Sequence, residues 1–133
     1  MLYSYKIESR AIMIKSRIKS FQYAFQGMAD LFRTQPNARI HLLLAGLAIL
    51  LGWIFSLAPL EWCFIALAMA LVFAAEAFNT ALEYLTDLAS PGYHELAGKA
   101  KDAAAAAVLF SAMGAAAIGL FLFLPRFWHL LTG

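Results

Sequence analysis

The sequence predicts an all-α integral membrane domain, with three transmembrane helices behind an N-terminal amphipathic surface helix. Three observations carry this prediction. Of the 133 residues, 63% are hydrophobic and only 14% charged, against about 25% charged in a soluble domain. Three apolar runs reach the roughly 20 residues that a bilayer-spanning helix needs. The basic residues gather in the N-terminal segment and in one later loop.

Residues 1–38 form a basic, cytoplasmic N-terminal segment. Within it Ile18, Phe21, Phe25, Met28 and Phe32 recur at spacings of three and four, the period of an amphipathic helix over residues 15–34. Such a helix either lies along the membrane surface through its cations and aromatics or packs on the bundle. Gln35-Pro36-Asn37 breaks it and turns the chain into the first span. The opening stretch has no apolar core of the secretory kind, so the first span is expected to stay in the mature protein.

The spans fall at residues 40–58, 62–82 and 103–124, inside a transmembrane domain of residues 39–126, and residues 127–133 are left as a C-terminal tail. Seven of the ten Lys and Arg precede residue 40, which places the N-terminus in the cytoplasm. The turn Pro59-Leu60-Glu61 then lies outside. The longer segment 84–102, with Lys99 and Lys101, lies inside, so a multi-pass protein of the inner (cytoplasmic) membrane follows. Ser111, Ala115 and Gly119 in the third span, and Ala66, Ala70 and Ala74 in the second, are small residues that let helices approach closely in lipid. A bundle this thin is naturally covered by oligomerisation. No aromatic-interleaved basic patch is present, so nucleic acid is not expected as a partner. The single Cys63 excludes an intrachain disulfide and reads as packing.

The chemistry is concentrated where the second span ends. Offsets of 3, 7 and 11 from Glu76 rotate by about 300°, 340° and 20° on an α-helix, so Glu76, Asn79, Glu83 and Asp87 share one face. Glu76 lies roughly 9 Å inside the cytoplasmic boundary of the span, where an ionisable group is expensive and points to function. The alternative is a structural polar seam, with Glu76 protonated or paired to a basic residue on another helix. Four aligned polar groups running from the membrane to the cytoplasm fit better with a reaction between a buried lipid group and a soluble reagent: the deep carboxylate as base, a shallow one as metal ligand. Beyond a loop broken by Ser90-Pro91-Gly92 come Tyr93, His94, Lys99, Lys101 and Asp102. Taken alone, Lys101 would be a snorkelling anchor and His94 a surface histidine.

Together these residues resemble the prokaryotic diacylglycerol kinase family, which includes the undecaprenol kinases. The likeness rests on residues 21–27 (FQYAFQG), 37–42 (NARIHL), 76–87 (EAFNTALEYLTD) and 94–109 (HELAGKAKDAAAAAVL). It implies a homotrimer with active sites at the cytoplasmic boundary between subunits, and transfer of the γ-phosphoryl of MgATP to the hydroxyl of a membrane lipid. By similarity Glu76 matches the catalytic base with Asn79 beside it, and Glu83 a Mg²⁺ ligand at the nucleotide. Tyr23, Tyr93, His94, Lys101 and Asp102 match nucleotide contacts, and Arg39 stands with Glu76 at the lipid substrate.

The family usually has a metal-sharing glutamate where this chain has Gln35, whose amide offers an oxygen without the charge. The all-alanine run 103–107 replaces a common glycine. The Arg39-Ile40-His41 and Asn79-Thr80-Ala81 forms look closer to the undecaprenol kinase branch, with diacylglycerol as the other candidate lipid. The rival from a different class is a non-catalytic membrane bundle subunit that has lost its metal site.

Overall fold

The computed structural model describes residues 2–133, with side chains from residue 15 onward, so the side chains of Lys6 and Arg10, two of the seven basic residues counted above, lie outside the described residues. Four helices follow in order: α1 (Leu2–Thr34), α2 (Pro36–Ile54), α3 (Pro59–Ala89) and α4 (Glu95–Thr132). Three of them, α2, α3 and α4, are long and apolar enough to cross a membrane. The chain divides into two compact units, Met1–Thr34 and Gln35–Gly133.

The first unit is the single helix α1. It begins well before the expected residue 15, because no glycine or proline precedes Gly27 to interrupt it. It ends where Gln35 takes an extended conformation (φ −101°, ψ 110°) before Pro36. A residue preceding proline is pushed out of the helical region, while proline itself suits the first helical position.

In the second unit α3 packs against both α4 and α2. The 19 residues of α2 make a rod of about 28 Å, close to the thickness of a bilayer's hydrocarbon. The 31 residues of α3 and 38 of α4 extend over about 46 and 57 Å, well beyond it. The apolar runs therefore mark only the lipid-embedded part of each helix. The turn expected at Pro59-Leu60-Glu61 lies instead at residues 55–58, since Pro59 opens α3. At the other terminus α4 carries Pro125 within it and runs on to Thr132, through most of the segment expected as a tail.

The α2–α3 turn is held by close packing. Ser56 adopts a left-handed φ of 50°, and Leu57 N–H donates to the Gly52 carbonyl at 3.0 Å. A Cβ on Gly52 would stand 2.7 Å from the Trp62 ring, so only glycine lets that indole lie against α2. Leu57, Ile65 and Phe123 form the buried core beside the turn, and Phe55 meets Phe127 edge-on at 5.0 Å. Arg126 Nη2 donates to both oxygens of Glu61 at 2.9 and 2.7 Å, while Glu61 accepts from Ala58 N–H at 2.9 Å. The end of α4 is thus tied to the start of α3.

The inward face of α4 carries the small residues Ser111, Ala115 and Gly119, all part-buried. On α3 the inward face is instead Ile65, Ala68, Val72, Glu76 and Asn79, and Ala66, Ala70 and Ala74 are exposed on the other side. Large apolar side chains such as Leu43, Phe78, Phe110 and Phe121 are also exposed, as expected where the surrounding solvent is hydrocarbon.

Candidate active site

At the end away from the aromatic core, the inward face of α3 turns polar. Glu76, Asn79 and Thr80 are the buried polar residues among those described, with Glu76 only 2% exposed. Thr80 Oγ1 returns its proton to the Glu76 backbone carbonyl at 2.9 Å, which satisfies the hydroxyl within the helix. The Glu76 carboxylate has no such local partner. Its Oε1 faces His41 Nε2 of α2 at 3.3 Å, within ion-pair distance but without the alignment of a hydrogen bond.

One turn further along α3, Asn79 Nδ2 donates to Glu83 Oε1 at 2.9 Å. Gln35 Nε2 approaches Glu83 Oε2 at 3.4 Å, joining the start of α2 to α3. One carboxylate is thus bracketed by two amides, and Asn79 Oδ1 is buried without a partner. A half-turn of either amide would present its oxygen instead of its nitrogen. This donor set fits Mg²⁺, which is usually held by one or two carboxylates and completed by substrate phosphates and water. Among the described residues no three His, Cys, Asp or Glu side chains come together as a self-sufficient metal cage.

Beyond Glu83 the polar face leaves the buried zone. Lys101 Nζ of α4 donates to Asp87 Oδ1 at 2.5 Å, clasping the two helices across the connection at residues 90–94. His94 caps α4, its Nδ1 accepting from Leu96 N–H at 3.2 Å. Tyr93 is 97% exposed, and Asp102 and Arg39 are exposed as well. Tyr23 is exposed on α1, in the other unit. Of the residues singled out in the sequence, Gln35, Asn79 and Glu83 are brought into contact, Glu76 sits deeper on the same face, and Lys101 meets Asp87.

A groove of about 300 Å³ opens between α2, α3 and α4, lined by His41, Ala45, Val72, Ala115 and Phe123 among others. His41 therefore borders the groove and touches the buried carboxylate. Its place in the motif NARIHL was visible in the sequence, but its partner on α3 was not, because a contact between helices depends on their register.

Comparison with known proteins gives this geometry a family. A family model described as prokaryotic diacylglycerol kinase matches residues 22–123. The chain is 39% identical over 108 residues to an undecaprenol kinase of Bacillus subtilis, covering 81% of this chain and 88% of that protein. It is 41% identical over 114 residues to a diacylglycerol kinase of Synechocystis, covering 85% of this chain and 65% of that one. To a diacylglycerol kinase of Haemophilus influenzae it is 31% identical over 94 residues, 71% of this chain and 80% of that one. The match takes in α2, α3 and most of α4, and with them the buried carboxylate and the amide-bracketed one. The chain belongs to the prokaryotic diacylglycerol kinase family of membrane lipid kinases.

Proposed function

We propose that this chain transfers the γ-phosphoryl group of MgATP to the hydroxyl of a membrane lipid, with undecaprenol preferred over diacylglycerol. The observation that carries this reading is the Glu76 carboxylate: buried, without an aligned hydrogen bond, and about three helical turns from Asp87 at the exposed end of the same polar face. Phosphoryl transfer asks the protein mainly to position the groups and to neutralise phosphate charge. Glu76 takes the hydroxyl proton as the oxygen attacks. Glu83, with oxygens from Gln35 and Asn79, would hold Mg²⁺, which when bound neutralises phosphate oxygens. Lys101 leaves Asp87 to contact phosphate, and Asp102, Tyr93, His94 and Tyr23 complete the nucleotide contacts. Arg39 stands by the lipid.

The apolar groove suits a hydrocarbon chain whose hydroxyl end comes to rest near His41 and Glu76. Undecaprenol is supported by the Arg39-Ile40-His41 and Asn79-Thr80-Ala81 forms, and by the near-complete coverage of the Bacillus subtilis undecaprenol kinase. The working form is a homotrimer in the inner membrane, active site to the cytoplasm, with the exposed Ala66, Ala70 and Ala74 face covered by neighbouring subunits. α1 lies along the cytoplasmic membrane surface.

The test is turnover of the detergent-purified protein with MgATP and each lipid in turn. Faster phosphorylation of undecaprenol is expected. The reverse ranking assigns diacylglycerol, and labelling of neither lipid by intact trimer overturns the proposed reaction.

A further inference from the structure

We propose that His41 is a positioning residue for the transfer: its imidazole holds the Glu76 carboxylate at the head of the apolar groove, where a lipid hydroxyl meets it. The inference rests on Glu76 being the base. It goes beyond that reading by assigning the group that orients the base.

Three observations carry it. First, a carboxylate with 3% side-chain exposure needs a polar partner, and the cross-helix contact of Glu76 is with His41 Nε2 at 3.3 Å. Second, the approach is prepared by the backbone. Ala38, nearly one turn before His41 on α2, is 0% exposed, and a side chain this small permits a close helix approach at that level. Third, of the 16 residues lining the groove, His41 alone is polar. A polar ring in an otherwise apolar slot is explained by what it touches, and this ring touches the base.

Oε1 is the carboxylate oxygen at 3.3 Å from the imidazole, and in the proposed role Oε2 takes the hydroxyl proton. The ring itself is 17% exposed through its side chain, so it forms the boundary between the groove and the buried site. Without it the carboxylate would lose its anchor on α2 and sample other rotamers. Bound lipid and bound nucleotide would then wait on a misdirected base, which slows turnover without weakening either binding step.

The experiment compares His41→Leu, which puts an apolar side chain of similar size in its place, with His41→Gln, which keeps a nitrogen of similar reach. Both are full-length and assayed beside wild type and Glu76→Gln at saturating Mg²⁺. The expected result for His41→Leu is a fall in kcat of about 10- to 100-fold, with KM for lipid and for ATP within about twofold of wild type. His41→Gln should recover most of the loss, and adding His41→Leu to Glu76→Gln should change nothing further. A purely structural histidine would lower the melting temperature of both variants and leave kcat per folded trimer unaltered. If His41→Leu does not yield folded protein, His41→Asn, polar but too short to reach Glu76, should show the same kcat loss.

Unchanged kcat in these variants, with Glu76→Gln inactive, overturns the role of His41 and leaves the base intact. Normal turnover by Glu76→Gln overturns the base itself, and the positioning role with it.

Discussion

Replacing Gln35 by glutamate probes the amide-bracketed carboxylate most directly. In the wild type, Gln35 Nε2 faces Glu83 Oε2 at 3.4 Å, long for a hydrogen bond but with the favourable sign. Gln35→Glu sets two carboxylate oxygens across that gap. Two unit charges 3.4 Å apart repel by about 1.2 kcal/mol in water and about 5 kcal/mol at an effective dielectric constant of 20. Both side chains are part-exposed, so the smaller figure is the better guide. In EDTA the variant should therefore melt below wild type. A divalent cation between the two carboxylates reverses the sign: it relieves the repulsion and gains a second charged ligand. The Mg²⁺ concentration for half-maximal activity should fall about tenfold, the equivalent of about 1.4 kcal/mol, with lipid preference unchanged. The assay is a magnesium titration of turnover at saturating ATP and lipid, with melting curves in EDTA and in excess Mg²⁺. An unchanged or raised requirement, or a shift in melting of the same sign in both conditions, removes Gln35 from the metal shell. Asp87 or Asp102 would then be the ligand to test.

Glu76→Gln, nearly isosteric, should lower turnover by about 10²- to 10⁴-fold, the range for loss of a general base, with nucleotide affinity and assembly retained; near-normal turnover would make Glu76 a structural residue. Lys101→Ala should raise KM for ATP about tenfold through loss of a charge-assisted phosphate contact. Its pair with Asp87 is exposed at 38% and 66%, so stability should hardly change, and an unaltered KM would return Lys101 to a membrane-anchoring role. Gly52→Val drives a side chain into Trp62, whose ring lies 2.7 Å from the Cβ position. Overpacking of this kind costs about 1–3 kcal/mol, to be read as a lower melting temperature with kcat per folded protein preserved.

The polar face of α3 was legible from the sequence because helical periodicity alone aligns Glu76, Asn79 and Glu83, and the Asn79–Glu83 contact is internal to one helix. Helix ends were less legible. Hydropathy marks where a helix meets water, whereas the backbone hydrogen bonds of α3 and α4 continue through polar residues to Ala89 and back to Glu95. The α2–α3 turn falls a few residues before the expected Pro59-Leu60-Glu61, because Pro59 takes the first position of α3. His41, Gln35 and Lys101 find their partners across helices. Only the packing of α2 and α4 on α3 sets those pairings, and no spacing within one segment encodes them.

The length of α3 has a consequence for which lipids the site accepts. Glu76 and Glu83 are seven residues apart on one uninterrupted helix, which separates them by about 10.5 Å along its axis and by almost no rotation. In the proposed kinase, this fixes by covalent geometry how deep the reacting hydroxyl sits below the metal and phosphates, whatever the chain attached to it. The helix acts as a depth gauge: a hydroxyl is judged by how far it stands below the aqueous boundary, and the flexible hydrocarbon beneath it contributes only through the groove. Inserting one residue between the two glutamates would swing Glu76 by about 100°, off the shared face altogether. Phosphorylation of every lipid should then be lost together, where a change confined to the groove would alter the ranking among them.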